Sequence, residues 1–258
     1  MTAIDGAEFA PDPSRPQALL SACPVYAETP LSAMDLGKNT QVLVKDESAR
    51  MRLGSFKALG GTYAVAQMIN DAWREAGNAP LTPEEFTSDA AKEIASTMTF
   101  MCASAGNHGL SVAAGANIFG AKARIHLSEE VPEGFAERLR GIGAEVVRSG
   151  PTYETSLDAA NKDAAETDAL LLADGSWPGY TYRPSLVMEG YTVIAEEMRR
   201  AFKRGAQPWP THVFLQAGVG GLASAIAYMI RRNWTEQPDI IIVEPEAAPC
   251  LKNSHEAG

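Results

Sequence analysis

The sequence predicts an α/β protein built on doubly wound parallel sheet, and two observations carry this prediction. Apolar segments of five to eight residues, typical of buried strands, alternate with segments whose apolar residues recur at helical spacing. Strands that are apolar on both faces are typical of parallel sheets that helices cover on both sides. Ligand sites in such folds open beyond the carboxyl ends of the strands, so the loops that follow strands are the places to look for chemistry.

Glycine and proline mark the ends of several predicted elements. Gly77 and Gly120 follow helices as C-caps, and Pro132 begins a helix. Strands are predicted at residues 41–48, 97–104, 122–128, 145–149, 169–174, 211–218 and 239–245. Helices are predicted at residues 55–76, 108–119, 132–143, 156–168, 184–204 and 222–234.

Two stretches fall outside this alternation of strands and helices. Pro11, Pro13 and Pro16 predict a loose arm over residues 1–21, because proline removes backbone donors and fixes φ. Residues 78–97 are polar and contain two further prolines, which indicates an insertion at the surface.

Composition narrows the class of partner. The 258 residues include 22 Lys and Arg against 32 Asp and Glu, so the formal net charge is −10, which disfavours nucleic acid and anionic membranes. No apolar segment approaches the roughly 20 residues of a membrane span. The N-terminus does not resemble a secretory signal, and three scattered cysteines suit a reducing compartment. We therefore expect a cytoplasmic protein that acts on a small molecule, with no nucleic-acid or membrane partner and no metal site.

The first candidate loop, GSFKALGG (54–61), places Lys57 in the first turn of a helix. A cation is disfavoured there because the N-terminus of a helix is itself positive. Lys57 is therefore either a solvated surface lysine, as most lysines are, or an amine placed to form a Schiff base with an aldehyde.

The second candidate loop, SAGNHG (104–109), lies between a predicted strand and a predicted helix. Ser104, Gly106 and Gly109 permit a tight turn, and Asn107 offers both a donor and acceptors. An ordinary strand-to-helix turn would use the same residue types.

The third candidate loop, AGVGGLA (217–223), also joins a strand to a helix. Gly218, Gly220 and Gly221 let backbone amides approach an anion, and the helix N-terminus attracts phosphate. The glycine spacing, with Glu244 at the end of the next strand, also fits a dinucleotide-binding fingerprint. That fingerprint usually opens the first strand–helix unit of a domain, whereas this loop comes late.

The three loops together describe one ligand. An amine at Lys57 for an aldehyde, an amide at Asn107 for a ring hydroxyl and a glycine loop for a phosphate correspond to pyridoxal 5′-phosphate. None of the four histidines is given a role: His108 is interpreted as the start of a helix, and the others as surface or strand residues.

Four segments carry a resemblance to a known family: KDESARMRLGSFKALGG (45–61), SAGNHG, ADGSWPGY (173–180) and AGVGGLASAI (217–226). They resemble the tryptophan-synthase-β-like (fold type II) pyridoxal-phosphate enzymes, and most of all the diaminopropionate ammonia-lyase branch. The resemblance implies two lobes. Residues 1–60 and 160–258 would form the larger, cofactor-binding lobe, and residues 61–159 the smaller one.

The resemblance also implies roles for individual residues. Lys57 would be the Schiff-base lysine, Asn107 would bond the ring hydroxyl, and Asp174 would be a catalytic acid beside the substrate. From the residues alone, Asp174 could equally cap a turn, because Asp-Gly is a common turn pair. The phosphate would be bound by Gly218, Val219, Gly220, Gly221 and Leu222.

Two departures from the branch matter for function. Ala105 stands where the branch typically carries Asp, and the family usually continues well beyond the position that matches Gly258. The leading hypothesis is a homodimeric lyase of amino-acid degradation that converts 2,3-diaminopropionate to pyruvate and ammonia. The alternatives are a serine- or threonine-type dehydratase, which Ala105 favours, a nicotinamide-dependent oxidoreductase and a non-catalytic truncated remnant.

Overall fold

The elements come from a computed structural model, which describes residues 9–104 and 106–257. The strands in that part are β1 (Leu31–Asp35), β2 (Gln41–Lys45), β3 (Thr99–Ala103), β4 (Lys122–Leu127), β5 (Glu145–Arg148), β6 (Leu170–Leu171), β7 (His212–Gln216) and β8 (Asp239–Val243). The α-helices are α1 (Ser14–Ser21), α2 (Lys57–Glu75), α3 (Asp89–Ser96), α4 (Asn107–Phe119), α5 (Glu133–Gly141), α6 (Tyr153–Glu166), α7 (Tyr182–Lys203), α8 (Gly221–Asn233) and α9 (Cys250–Glu256). Short 3₁₀ helices span Arg50–Arg52 and Glu85–Thr87.

The strands within the described ranges form three sheets. β5, β4, β3 and β6, in that order, make a parallel sheet. β7 pairs in parallel with β8, whereas β1 and β2 form an antiparallel pair. The predicted α/β class with parallel sheets is confirmed. β6 pairs with β3 although it lies beyond residue 160, the predicted boundary between the lobes; the division into lobes itself stays a prediction.

Helix α2 lies between α4 and α7, and two adjacent glycines allow both neighbours to approach closely. A Cβ atom added to Gly60 would lie 2.5 Å from Cε1 of Tyr191 on α7. A Cβ atom added to Gly61 would lie 2.5 Å from Oγ of Ser111 on α4. Because neither gap can take a side chain, the packing fixes the position of the helix that begins at Lys57.

The arm predicted for residues 1–21 was wrong in its second half, where α1 forms. Pro16 lies in the first turn of this helix, where the N–H that proline lacks would have no partner within the helix. Leu19 and Leu20 are buried in the main core, and their burial stabilises the helix. Residues 1–8 of the predicted arm lie outside the described residues.

The surface insertion predicted for residues 78–97 was also wrong in part. Ser88 is the N-cap of α3 and accepts a hydrogen bond from the backbone N–H of Ala91 at 3.3 Å. Phe86, Ala91 and Ala95 are buried, so this segment contributes to the core as well as to the surface.

A buried ion network, which we call the Arg50 cluster, anchors the segment that leads to Lys57. Nη1 and Nη2 of Arg50 donate to the two carboxylate oxygens of Glu197 at 2.8 Å each. Nε and Nη2 of Arg50 donate to Glu47 at 2.7 Å each, and Nζ of Lys45 donates to Glu197 at 2.5 Å. Burial raises the pKa of Glu197, but the hydrogen bonds and charge of Arg50 outweigh it and hold that pKa below its ordinary value.

The Arg50 cluster adjoins a strained turn. Met51 and Arg52 have φ values of 49° and 60°. This left-handed region costs a residue with a side chain about 1–2 kcal/mol. The fully buried, multiply bonded side chain of Arg50 holds the backbone at the start of this turn and helps to offset that cost.

None of the helices in residues 9–104 and 106–257 combines the length and the apolar character that crossing a lipid bilayer requires.

Candidate active site

Lys57 and Asp174 are 117 positions apart in the chain and form an ion pair. Nζ of Lys57 donates to Oδ2 of Asp174, and the exposed fractions of the two side chains are 22% and 15%. Lys57 is the first residue of α2, and Asp174 lies in the loop after β6. Lys57 is therefore a paired and largely enclosed amine, in contrast to a solvated surface lysine.

The carboxyl group of Asp174 is ionised at neutral pH. Burial is the largest influence and raises its pKa. The neighbouring His108 and Lys57, with the hydrogen bond from Lys57, outweigh burial and lower the pKa to about 2. The site therefore holds a negative charge that can bind a cationic group of a ligand once Lys57 is engaged elsewhere.

The SWPGY segment positions the loop that carries Asp174. Trp177 and Tyr180 exchange backbone hydrogen bonds of 3.3 and 2.9 Å, and their rings stack with centroids 4.2 Å apart. The Tyr180 hydroxyl donates to the carbonyl of Leu171 and accepts from the N–H of Ala173, each at 2.9 Å. This single phenol therefore braces the backbone directly before Asp174.

The glycine loop between β7 and α8 lies against the Asp174 loop. A Cβ atom added to Gly221 would lie 3.5 Å from the carbonyl oxygen of Asp174, and one added to Gly175 would lie 3.9 Å from Cβ of Val219. Gly220 has a φ of 88°, which glycine adopts at little cost. The first N–H groups of α8 have no partner within the helix, and the helix dipole is positive there, so the loop suits an anion.

Glu244, the acidic residue of the alternative dinucleotide fingerprint, has both carboxylate oxygens engaged. Oε1 accepts from the N–H of Leu251 at 2.8 Å, and Oε2 accepts from the N–H of Lys252 at 3.0 Å. A Cβ atom added to Gly220 would lie 2.6 Å from Cδ2 of Leu251, so α9 also covers part of the glycine loop. This arrangement favours a phosphate site over a dinucleotide site, in which the carboxylate would bind a ribose.

The SAGNHG loop forms the predicted turn. Oγ of Ser104 accepts from the N–H of Gly106 at 3.1 Å and from the N–H of Gly109 at 3.0 Å. Asn107 is the first residue of α4, and it is exposed. Ala105, which stands where the ammonia-lyase branch typically carries Asp, lies outside the described residues.

Two buried polar atoms of the site have no hydrogen-bond partner in the described part of the chain: Nδ1 of His108 and the hydroxyl of Tyr191. Nε2 of His108 lies 2.7 Å from the carbonyl oxygen of Leu172, which can only accept, so Nε2 carries the proton. Burial is the largest influence on His108 and lowers its pKa, and the charge of Asp174 opposes that shift. A bound ligand can satisfy such atoms.

Neither His108 nor Tyr191 was predicted from the sequence as a site residue. His108 was interpreted only as the start of a helix, although its place directly after Asn107 was a signal that it shares the loop. Tyr191 gave no signal, because its helical spacing with other apolar residues of α7 is also that of a core residue.

The sequence of the chain matches a known protein family. Residues 23–258 match the family described as "Pyridoxal-phosphate dependent enzyme". The chain belongs to this family. The diaminopropionate ammonia-lyase of Salmonella typhimurium is 35% identical over 237 residues, which cover 90% of this chain and 58% of that protein. A probable D-serine dehydratase of Burkholderia thailandensis is 28% identical over 236 residues, which cover 89% of this chain and 52% of that protein.

A solved structure of the same family gives a similar result. The crystal structure of holo diaminopropionate ammonia lyase from Escherichia coli has a TM-score of 0.84 and 30% identity, and covers 97% of this chain and 66% of that chain. The chain therefore spans less than two thirds of the length of these relatives. The predicted fold type II and the predicted cofactor, pyridoxal 5′-phosphate, are confirmed.

The residues of this structure fit that cofactor. Lys57 supplies a primary amine for the aldehyde, and the N-terminus of α8 supplies backbone N–H groups for the phosphate. His108 and Tyr191 supply buried polar atoms that lack a protein partner among the described residues.

Proposed function

We propose that the chain, as part of the whole protein, carries out a pyridoxal-phosphate-dependent α,β-elimination on 2,3-diaminopropionate, giving pyruvate and ammonia. The observation that carries the proposal is the ion pair between Lys57 and Asp174 beside an anion-binding loop. The 35% identity to a diaminopropionate ammonia-lyase supports the choice of substrate.

Each predicted site residue has a place in this proposal. Lys57 would bind the aldehyde of the cofactor, and Asn107 would bond its ring hydroxyl. The phosphate is held by Gly218, Val219, Gly220, Gly221 and Leu222. The bound cofactor supplies an electron sink for the charge that develops at Cα of the substrate.

Lys57 and Asp174 have different roles in the proposed reaction. The amine of Lys57 would act as the general base that removes the Cα proton of the substrate. In the ligand-free chain, the neighbouring His108 and Lys57 hold the pKa of Asp174 below its ordinary value. Its carboxylate would hold the β-ammonium group of the substrate as that group leaves. A carboxylate in this position is better suited to a cationic leaving group than to a neutral hydroxyl.

The second candidate function is a dehydratase of a hydroxy amino acid. Ala105, in place of the Asp of the ammonia-lyase branch, favours it, and so does the 28% identity to a probable D-serine dehydratase.

With Lys57 as the one base, only one face of the substrate is served, and the L-isomer is the expected substrate.

Release of the 2-oxo acid product tests the proposal: pyruvate from D- and L-diaminopropionate and from serine, and 2-oxobutanoate from threonine. We expect the L-isomer of diaminopropionate to be the best substrate. We also expect Asp174→Asn to lower its turnover by about tenfold or more, since the carboxylate acts on the leaving group. Asp158→Asn, at an exposed position of α6, is the matched control and should leave turnover unchanged. Faster release from serine or threonine would assign the dehydratase, and equal rates on D and L would overturn the one-base account.

The proposal extends to a homodimer in the cytoplasm that acts in amino-acid degradation. Exposed apolar side chains on β7 and β8, such as Phe214 and Val243, support an interface with a second copy of the chain. Light scattering of the purified protein measures the oligomeric state.

A further inference from the structure

Tyr191 is a fully buried phenol on α7 whose hydroxyl has no partner in the described residues. Its exposed fraction is 1%, and the hydroxyl oxygen is closed off from solvent. A buried hydroxyl without a hydrogen bond costs about 1–3 kcal/mol, and phenylalanine would avoid this cost at the same position. Unsatisfied buried polar atoms are rare in folded proteins, so this one calls for a partner that the protein does not supply.

The surroundings of Tyr191 indicate where that partner lies. Cζ, the ring carbon that bears the hydroxyl, is 2.8 Å from the position of a Cβ atom added to Gly60, in the first turn of α2. Cε2 of the same ring is 4.0 Å from the position of a Cβ atom added to Gly221, at the N-terminus of α8. The ring therefore lies between the helix of the reactive lysine and the anion-binding loop.

Two further contacts fix the ring in this position. The ring of Phe56 packs edge-on against it with centroids 5.2 Å apart, and Nζ of Lys57 lies 5.8 Å from its centroid. Burial raises the pKa of Tyr191 well above its ordinary value, so the hydroxyl keeps its proton and remains a donor. A neutral donor next to a helix N-terminus complements a multiply charged anion.

We propose that the hydroxyl of Tyr191 is a further binding group for the anion held at the N-terminus of α8, which under the proposed function is the phosphate of the cofactor. The phosphate accepts the hydrogen bond that no described protein group accepts. Tyr191 thereby adds a side-chain donor to a loop that otherwise binds through backbone N–H groups.

Tyr191→Phe separates this role from packing, because it removes the hydroxyl and keeps the ring. Titrations with pyridoxal 5′-phosphate and with pyridoxal, which lacks the phosphate, measure the dissociation constants for the chain. We expect the variant to bind pyridoxal 5′-phosphate about tenfold more weakly or worse, since a hydrogen bond to a charged group is lost. Pyridoxal binding should change by less than about twofold, because its hydroxymethyl group carries no charge.

The melting temperature of the ligand-free chain gives a second, independent measure. Tyr191→Phe should melt at the same or a higher temperature, because it removes an unsatisfied hydroxyl. Tyr63→Phe is the matched control: Tyr63 is equally buried, but its hydroxyl donates to Oε2 of Glu189 at 2.8 Å. This control should melt at a lower temperature and keep the wild-type ratio of the two dissociation constants.

The outcomes distinguish this inference from the proposed function. Wild-type chain reduced with borohydride in the presence of the cofactor should carry the modification at Lys57. If it does, and Tyr191→Phe binds both ligands as the wild type does, the hydroxyl is not a phosphate ligand and this inference alone fails. If Tyr191→Phe melts lower or does not fold, the hydroxyl has a partner in the protein and the inference also fails. Absence of modification at Lys57 would overturn the proposed function and this inference with it.

Discussion

The Arg50 cluster and the candidate active site are two groups of buried polar side chains that share α7 but differ in how far their hydrogen bonds are satisfied. In the Arg50 cluster, Glu197 of α7 accepts from Arg50 and Lys45, and its charge is fully compensated. In the candidate site, Tyr191 of the same helix and His108 of α4 each keep a buried polar atom without a partner in the described residues. The group whose hydrogen bonds are complete holds the chain in place. The group whose hydrogen bonds are incomplete has polar atoms that a ligand can bond.

The comparison also explains why the two groups are neighbours. The Arg50 cluster fixes the strained turn at Met51 and Arg52, and the chain then runs directly into Lys57. The Schiff-base role that we propose for Lys57 requires its amine to be held in a defined place before any ligand binds. The satisfied network therefore provides the rigidity on which the unsatisfied site depends.

The largest effect should follow from breaking the Arg50 cluster. Arg50→Met leaves two carboxylates, of Glu47 and Glu197, without their main cation in a buried position. We expect the free energy of unfolding, measured with urea, to fall by about 3–5 kcal/mol. Arg204→Met is the matched control, because Arg204 is 59% exposed and lies 3.8 Å from Glu28. This variant should change the free energy of unfolding by no more than about 0.5 kcal/mol. Equal effects of the two variants would remove the distinction drawn above.

A smaller effect concerns the pH dependence of stability at Asp174. Its pKa is about 2 in the folded chain and 3.8 as the ordinary value, so the unfolded chain binds the proton more readily. The stability that this carboxylate contributes is therefore complete above about pH 4 and is lost as the pH falls through about 2. The gap between the two values corresponds to about 2 kcal/mol.

Urea unfolding of the wild type and of Asp174→Asn between pH 5 and pH 2 measures this contribution. The wild type should lose about 2 kcal/mol more than the variant over that range. Parallel curves for the two proteins would show that the ion pair with Lys57 does not stabilise the ligand-free chain.

The smallest effect is expected at Tyr180. The hydroxyl of Tyr180 has its hydrogen bonds satisfied, like the side chains of the Arg50 cluster, but it holds the loop of the candidate active site. Tyr180→Phe removes one donor to Leu171 and one acceptor from Ala173, and should cost about 1 kcal/mol. Because Asp174 follows directly, pyruvate release should fall by more than the stability loss explains. Tyr182→Phe is the control, since Tyr182 is 50% exposed and its hydroxyl bonds only to Asp71 among the described residues. Full activity of Tyr180→Phe would show that Asp174 does not need this brace.

Most of the fold could be predicted from the sequence, because its signals are local. The alternation of apolar strands with helices predicted most of these elements closely: β2 to β5, β7, β8, α2, α4, α5, α7 and α8. β6 is shorter than predicted, at Leu170–Leu171 against residues 169–174. α6 begins at Tyr153, earlier than predicted, because Thr152 caps it with its side chain. β1 was not predicted: its residues are largely exposed, and its pairing with β2 does not appear in its own pattern.

The site residues proposed from the sequence lie in recognisable motifs, whereas Tyr191 is identified only by its contacts in space; the roles of all of them stay predictions. Lys57, Asn107 and the glycine loop follow strands in recognisable segments, whereas Tyr191 lies in the middle of a long helix. Its role depends on the glycines at positions 60 and 221, which come from two other parts of the chain. No spacing along α7 can show that a tyrosine hydroxyl lacks a partner.

The adjacent glycines 60 and 61 bear on how this protein can change through evolution. Each allows a different helix to contact the backbone of α2, so even alanine at either position would collide with a neighbour. In a library of variants, these two positions would rank among the least tolerant, although neither has a side chain that could touch a ligand. New substrate preferences would have to arise in the surrounding loops, because the three packed helices leave no space for a side chain at these two positions.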